Sequence, residues 1–229
     1  MSLMSKPVTV ITGASGVLGR AIVDAARARG DAVAAVDFGP VDQAEGEDWM
    51  GLGGVDLVDP AAAQAAMDAV VQRFGRIDHL LNAVGGFVWQ ATDGPLENWD
   101  RMHRMNLTTV LNACRAALPH LAQSANGRIV NVGALGALQA GSGMGAYAAS
   151  KAGVHKLTEA LAEETKATAL TVNAVLPYII DTPANRADMA DADVSTWVKP
   201  AELAAVMLFL ASDAASAVTG ALLPVKGRV

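Results

Sequence analysis

Charge is scarce in this 229-residue chain, and neither sign dominates strongly: 17 Lys and Arg stand against 23 Asp and Glu, for a net −6. With no basic run, that balance argues against a nucleic-acid surface. Aromatic residues make up only 4%. Cys114 is the single cysteine, so an internal disulfide is excluded; a buried thiol and a cytoplasmic location are the default expectations. No apolar run reaches the roughly 18 residues a membrane span needs. The start of the chain lacks a charged region followed by an apolar core, so it does not read as a secretory signal, and Met1-Ser-Leu before Met4 reads as an expression scar over residues 1–5. His79, His103, His120 and His155 form no ligand spacing, so no metal is expected. What is abundant is Ala, Val and Gly within a 52% hydrophobic composition. That suits one domain over 1–229 in which helices lie close against a sheet.

Taken in order, Pro7–Thr12 is a β-branched run, followed by Thr12-Gly-Ala-Ser-Gly-Val-Leu-Gly19 and a helical segment to Gly30. A glycine turn between strand and helix bends tightly, lets backbone approach a pyrophosphate and aims N–H groups at it. The second strand, Asp31–Asp37, ends on an acid placed to accept the hydroxyls of an adenosine ribose and to repel a 2′-phosphate. Phe38 follows it where an arginine would favour the phosphate, so NAD(H) is expected over NADP(H). Residues 38–54 read as irregular, with Val55-Asp56-Leu57 as a strand end. Pro60–Phe74 reads as a helix capped by Asp59, and His79–Val84 as a strand. One or two helices fill Leu96–Leu121; Gly127–Val132, Ala169–Leu176 and Leu222–Val225 read as strands, and Ala201–Ala211 as a helix. Tyr178–Val198 is long, polar and without periodicity, which points to a lid or substrate loop. Alternating strands and helices predict an α/β fold, a doubly wound parallel sheet with helices on both faces.

The most chemically suggestive stretch is Gly145-Ala-Tyr147-Ala-Ala-Ser-Lys151. A spacing of four stacks phenol and ammonium on one helix face, and an ammonium within roughly 4–6 Å favours the phenolate. The spacing alone is common, and an ordinary helix with Tyr147 snorkelling and Lys151 solvated accounts for it equally well.

Together these motifs resemble the short-chain dehydrogenase/reductase family over nearly the whole chain, which implies a Rossmann-type fold and a nicotinamide cofactor. The resemblance rests on Thr12, Gly13 and Gly19 in the turn, Asp56, Asn82-Ala-Val-Gly85, Asn106, Tyr147 with Lys151, Leu176-Pro177 through Thr182, and Val218-Thr-Gly220. It implies that Gly13, Ser15, Gly16, Leu18 and Gly19 hold the pyrophosphate. Asp37, Asp56 and Leu57 would take the adenosine; Asn82, Ala83 and Gly85 would border the cofactor. Pro177, Ile180 and Thr182 would fix the nicotinamide. Tyr147, Lys151 and Asn106 would be catalytic, with Asn106 anchoring a water beside Lys151; bonding backbone at a helix kink is its other reading. Self-association through the Asn106–Leu121 and Tyr147–Thr165 helices, as a homodimer or homotetramer, is implied as well.

Two departures stand out. The middle glycine, Gly16, comes one place early, with Val17 in the usual position. The family's catalytic serine, thirteen residues before the tyrosine, is Ala134 here. Within the family, an alanine there, a shortened segment after the second strand, and Asp181-Thr-Pro-Ala-Asn185-Arg186-Ala-Asp-Met189 are similar to dihydropteridine reductases. The expectation is an NADH-dependent reductase of a quinonoid dihydropterin or similar conjugated ring. Phe87, Trp89, Ala134, Tyr178 and Trp197 would line its pocket, though each aromatic could serve packing alone. A small ketone or alcohol as substrate, and a nucleotide-binding regulator without turnover, are the alternatives.

Overall fold

The computed structural model describes residues 6–43 and 46–229, so the segment read as a scar, 1–5, lies outside the described residues. Seven strands, β1 (Val8–Thr12), β2 (Ala32–Val36), β3 (Trp49–Leu52), β4 (His79–Asn82), β5 (Arg128–Val132), β6 (Thr171–Pro177) and β7 (Leu222–Val225), form one sheet. Their order is β3-β2-β1-β4-β5-β6-β7, and every pairing is parallel. The helices are α1 (Val17–Arg29), α2 (Pro60–Phe74), α3 (Leu96–His103), α4 (Thr109–Leu121), α5 (Gly145–Glu164), α6 (Pro183–Asp188) and α7 (Pro200–Leu210).

Both faces of the sheet are covered, which explains why its strands are continuously apolar instead of alternating. In β1, Val8 and Val10 join a core with Val70 of α2, Val110 of α4 and Val154 of α5. Ile11, on the opposite face, packs with Ile22 of α1 and Met207 of α7. Asp59 caps α2 as expected, its side chain accepting the Ala61 N–H ahead of Pro60. No helix among the described residues is long and apolar enough to cross a membrane.

Two boundaries differ from the sequence expectation in ways that matter, and the stretch read as one or two helices resolves into two. The third strand is Trp49–Leu52, inside the stretch read as irregular, while Val55-Asp56-Leu57 is loop. That strand is four residues long and only partly buried; it has a glycine at its centre because a Cβ on Gly51 would lie 2.0 Å from the Asp42 carbonyl oxygen. Residues 96–121 form two helices joined by a π-turn over Arg104–Thr108. The long loop after β6 contains α6, a 3₁₀ turn at Val194–Thr196 and a bridge from Ile180 to Val198.

All seven strands run one way, so the glycine turn, Asp37, Gly85, Ala134 and Tyr178 gather along a single edge. The chain reverses its direction of growth beside β1, where α/β sheets open a crevice.

Candidate active site

Close approach fixes two glycines of the first turn. Gly13 has φ +70°, and a Cβ on it would sit 2.7 Å from the Val84 nitrogen; one on Gly19 would sit 2.0 Å from the Gly13 carbonyl oxygen. Gly16, the displaced middle glycine, is the N-cap of α1 and meets only Gly13 O at 3.3 Å, so it is less tightly required. Ser15 and Gly39 tie down Asp37: its two carboxylate oxygens accept their backbone N–H groups at 2.9 and 2.7 Å. Asp56 accepts the Val58 N–H at 2.9 Å, and Leu57 is buried, its carbonyl taken by Asn112. Of these, Gly13, Asp37, Asp56 and Leu57 line a groove of about 720 Å³ that also runs past Phe38 and Gly85. Its far wall is Arg101, Arg104, Met105 and Thr109, residues that sequence reasoning did not single out. An elongated groove beginning at a turn that tolerates no Cβ and ending at a fixed carboxylate fits a dinucleotide.

Further along the same edge, Lys151 is fully buried and donates to the Val132 carbonyl at 2.7 Å. Burial pulls its pKa down to about 8. Tyr147 meets Phe87 edge to face, ring centroids 5.0 Å apart, and its hydroxyl has no hydrogen-bond partner among the described residues. Burial pushes that phenol up to about 12. The expectation that Lys151 holds Tyr147 down toward the phenolate is therefore corrected. Desolvation governs both groups, and at neutral pH the phenol keeps its proton.

Asn106 lies in the π-turn, with one residue more per turn than an α-helix, an arrangement that aims a side chain out of register. Its Oδ1 accepts Gly86 N–H at 2.9 Å; its Nδ2 donates to Gly86 O at 3.1 Å and Ser150 Oγ at 2.9 Å. Both amide protons are thus committed, and the side chain is a clamp between the β4 exit and α5. Gly85 makes the clamp possible, because a Cβ there would lie 2.7 Å from Asn106 Oδ1 and 3.1 Å from Lys151 Nζ. Asn82 is wholly buried, in a polar ladder across the strands. Thr12 Oγ1 donates to Asn82, Asn82 to Asn131 and Asn131 to Thr158 of α5, each at 2.9 Å. Ala83 follows, its N–H bound to Thr12 O. Leu18 and Pro177 are buried at the start of α1 and the end of β6.

The aromatic candidates separate. Phe87 and Trp89 are exposed, and Trp89 lies over Gly143 while its Nε1 donates to Ser142 O at 3.1 Å. With Gln90 N–H on Gly143 O at 2.8 Å, this joins the loop after β4 to the loop before α5. Tyr178 is exposed at the end of β6, but Trp197 is only 4% exposed and serves as packing at the start of α7. In the loop after β6, every polar residue of the Asp-Thr-Pro-x-Asn-Arg run is used locally. Asp181 pairs with Arg186, Thr182 caps α6 by accepting Asn185 N–H, and Asn185 donates to Ile180 O. That spacing therefore specifies the shape of a loop and gives no information on substrate.

His155 was also missed. Its Nε2 accepts the Ala134 N–H at 3.2 Å, and it stands four residues past Lys151 on the face that carries Tyr147. The spacing 147, 151, 155 was the available signal.

Comparison with known proteins adds to this geometry. Residues 7–193 match the family model described as short chain dehydrogenase. The chain is 34% identical to D-threitol dehydrogenase of Mycolicibacterium smegmatis, the match covering 96% of this chain and 91% of the relative. It is also 34% identical to 3-oxoacyl-[acyl-carrier-protein] reductase of Thermotoga maritima, covering 96% of each. Among solved structures, the ligand-free aldohexose dehydrogenase of Thermoplasma acidophilum superposes with a TM-score of 0.85 at 27% identity, covering 97% of this chain and 93% of the other.

Proposed function

The chain belongs to the short-chain dehydrogenase family of nicotinamide-dependent oxidoreductases, and from that premise we propose an NADH-dependent reductase in which Tyr147 gives a proton to a conjugated, electron-poor ring such as a quinonoid dihydropterin. The observation that carries this reading is the combination of Tyr147 with Ala134. The half-buried phenol has no hydrogen-bond partner among the described residues, and residue 134, just past the end of β5, offers a methyl group and no hydroxyl. A ketone oxygen gains much from a second donor as it takes on negative charge. A conjugated imine needs less help, since it spreads that charge through its own ring.

When bound, the nicotinamide supplies the hydride. The protein's part is to hold and to protonate. The Gly13–Gly19 turn and Asp37 take the adenosine half, Lys151 stands beside Gly85 and Val132 O where the nicotinamide ribose would lie, and Thr182 has a hydroxyl proton left to offer. Tyr147 starts as an acid because a phenol keeps its proton at neutral pH, and burial raises its pKa further. Phe87 and Trp89 offer flat apolar surface over the reacting end. Asp37 supports NADH, because its fixed carboxylate opposes a 2′-phosphate.

Turnover of quinonoid dihydropterin with NADH tests the reading, and no turnover at high enzyme concentration overturns it. Tighter binding of NADPH than of NADH overturns the role given to Asp37. The names of the two relatives favour a second reading, oxidation of an alcohol or reduction of a ketone. Ala134→Ser separates the two. A sharp gain in ketone reduction without loss of the pterin reaction counts against a ketone as the natural substrate.

A further inference from the structure

The exit of β5 is held residue by residue. Val132 O accepts from Lys151 at 2.7 Å, Gly133 N–H donates to Val175 O of β6 at 2.9 Å, and Ala134 N–H donates to His155 Nε2 at 3.2 Å. Lys151 and His155 are one helical turn apart on α5, and Tyr147 is one turn before Lys151. The imidazole is buried and pressed close: a Cβ on Gly133 would fall 2.5 Å from Nε2, so the glycine leaves room for the ring. We propose that His155 is a positioning residue of this active site, fixing the end of β5 against α5 and so setting where residue 134 stands relative to the Tyr147 hydroxyl. The proposal rests on the reading of Tyr147 as the proton donor.

The contact dictates a protonation state. Nε2 accepts, so the ring proton is on Nδ1 and the imidazole is neutral. An imidazolium has no acceptor and would set N–H against N–H. Burial, Lys151 and Lys156 disfavour that charge, while Glu159 favours it, and the balance puts His155 below its usual pKa of 6.5. Where other strand ends of this kind offer a side-chain hydroxyl, Ala134 has only its backbone to anchor, and His155 is what anchors it.

Two arms of one experiment keep failure of the proposal distinct from failure of the reaction assigned above. In ¹⁵N-labelled protein without cofactor, His155 is expected as the Nδ1–H tautomer with a midpoint below 6.5. The Ala134 amide should shift with that same midpoint. In His155→Gln, whose amide oxygen can accept the same N–H, that pH dependence should vanish. An Nε2–H tautomer, or an Ala134 amide indifferent to pH in the wild type, overturns the proposal whatever the enzyme reduces. In turnover of quinonoid dihydropterin, His155→Leu should lower kcat about tenfold with NADH affinity unchanged, since small misplacements near reacting groups are costly. His155→Gln should restore kcat to within about twofold and remove the acid limb of its pH profile. Equal kcat in folded His155→Leu and wild type overturns the proposal. Absence of turnover in the wild type strikes the reaction, and the spectroscopic arm then decides the role of His155.

Discussion

At the amino ends of the strands, Asp31 accepts the Thr9 hydroxyl at 2.6 Å and the Arg29 guanidinium, and Asp78 accepts Arg76, Ser124 and the Val8 N–H. Burial alone would raise Asp78, but those hydrogen bonds hold it below the usual carboxylate range. Arg128 lies buried beside them, donating to the Gly127 and Ala169 carbonyls. At the carboxyl ends, by contrast, Tyr147 has no hydrogen-bond partner for its hydroxyl, and Lys151 has only a backbone carbonyl and no carboxylate within ion-pairing distance among the described residues. The same sheet therefore neutralises buried charge at one end and leaves it uncompensated at the other. Pairing is incomplete even at the amino end. His79 Nε2, Arg128 Nε and Thr171 Oγ1, neighbours in register across β4, β5 and β6, have no hydrogen-bond partner. Stability should respond at that end where catalysis responds at the other.

The contrast breaks most visibly at Tyr147. Tyr147→Phe should lower turnover by about 10³-fold, the loss of a positioned acid. NADH affinity and melting temperature should hardly move, since the lost hydroxyl bonds nothing; a marked fall in melting temperature would mean that this end is structural as well. Asp31→Ala is the converse. Removing one partner of a buried pair should cost about 2–3 kcal/mol in chemical denaturation, reduced because Arg29 can reach water, with kcat unchanged.

Acid sharpens the comparison next. His79 is held at about 4 by burial and by the nearby Arg29 charge. The unfolded chain takes up that proton near 6.5, so between about 4 and 6.5 it binds more protons than the folded one, and stability rises with pH in that window. The change amounts to about 3 kcal/mol across the window and should flatten in His79→Gln. The smallest net change in stability at pH 7 is expected at Lys151. Its folded pKa of about 8 lies below the unfolded value of 10.5, so stability should rise with pH from about 8 to 10.5. In Lys151→Met that rise should disappear, with stability at pH 7 up to about 1 kcal/mol higher although turnover is lost. A destabilised Lys151→Met would show that the bond to Val132 O outweighs the buried charge.

The sequence exposed the parts of the site that depend on backbone shape. Gly13 and Gly19 were legible because a turn without room for a Cβ leaves glycine no substitute, and Asp37 because it ends a strand next to that turn. Tyr147 and Lys151 were legible as a spacing, but their electrostatics were not. Whether an ammonium depresses a phenol or both are simply desolvated depends on burial, and burial is a tertiary property. The strand Trp49–Leu52 escaped because it is short, half-buried and interrupted by Gly51, so it lacks the continuous apolar run of β1 or β2. Arg101 and Arg104 escaped because charged residues on an amphipathic helix look solvated until a groove is found beneath them. His155 escaped as a lone imidazole on a mixed helix, since nothing in the sequence shows which strand end it will meet.

The π-turn at Arg104–Thr108 is an α-helix holding one surplus residue. Because the wide turn absorbs the surplus, deleting one residue there would leave a single regular α-helix whose two flanks keep about the same rotation. Arg101, on the groove wall, and Asn112, anchored to the Leu57 and Val58 carbonyls, could both keep their places. What would go is the local widening from which Asn106 reaches Gly86 and Ser150. Shortening the rod by one position is thus a way to remove a single side chain's aim while leaving both ends of the rod where they are.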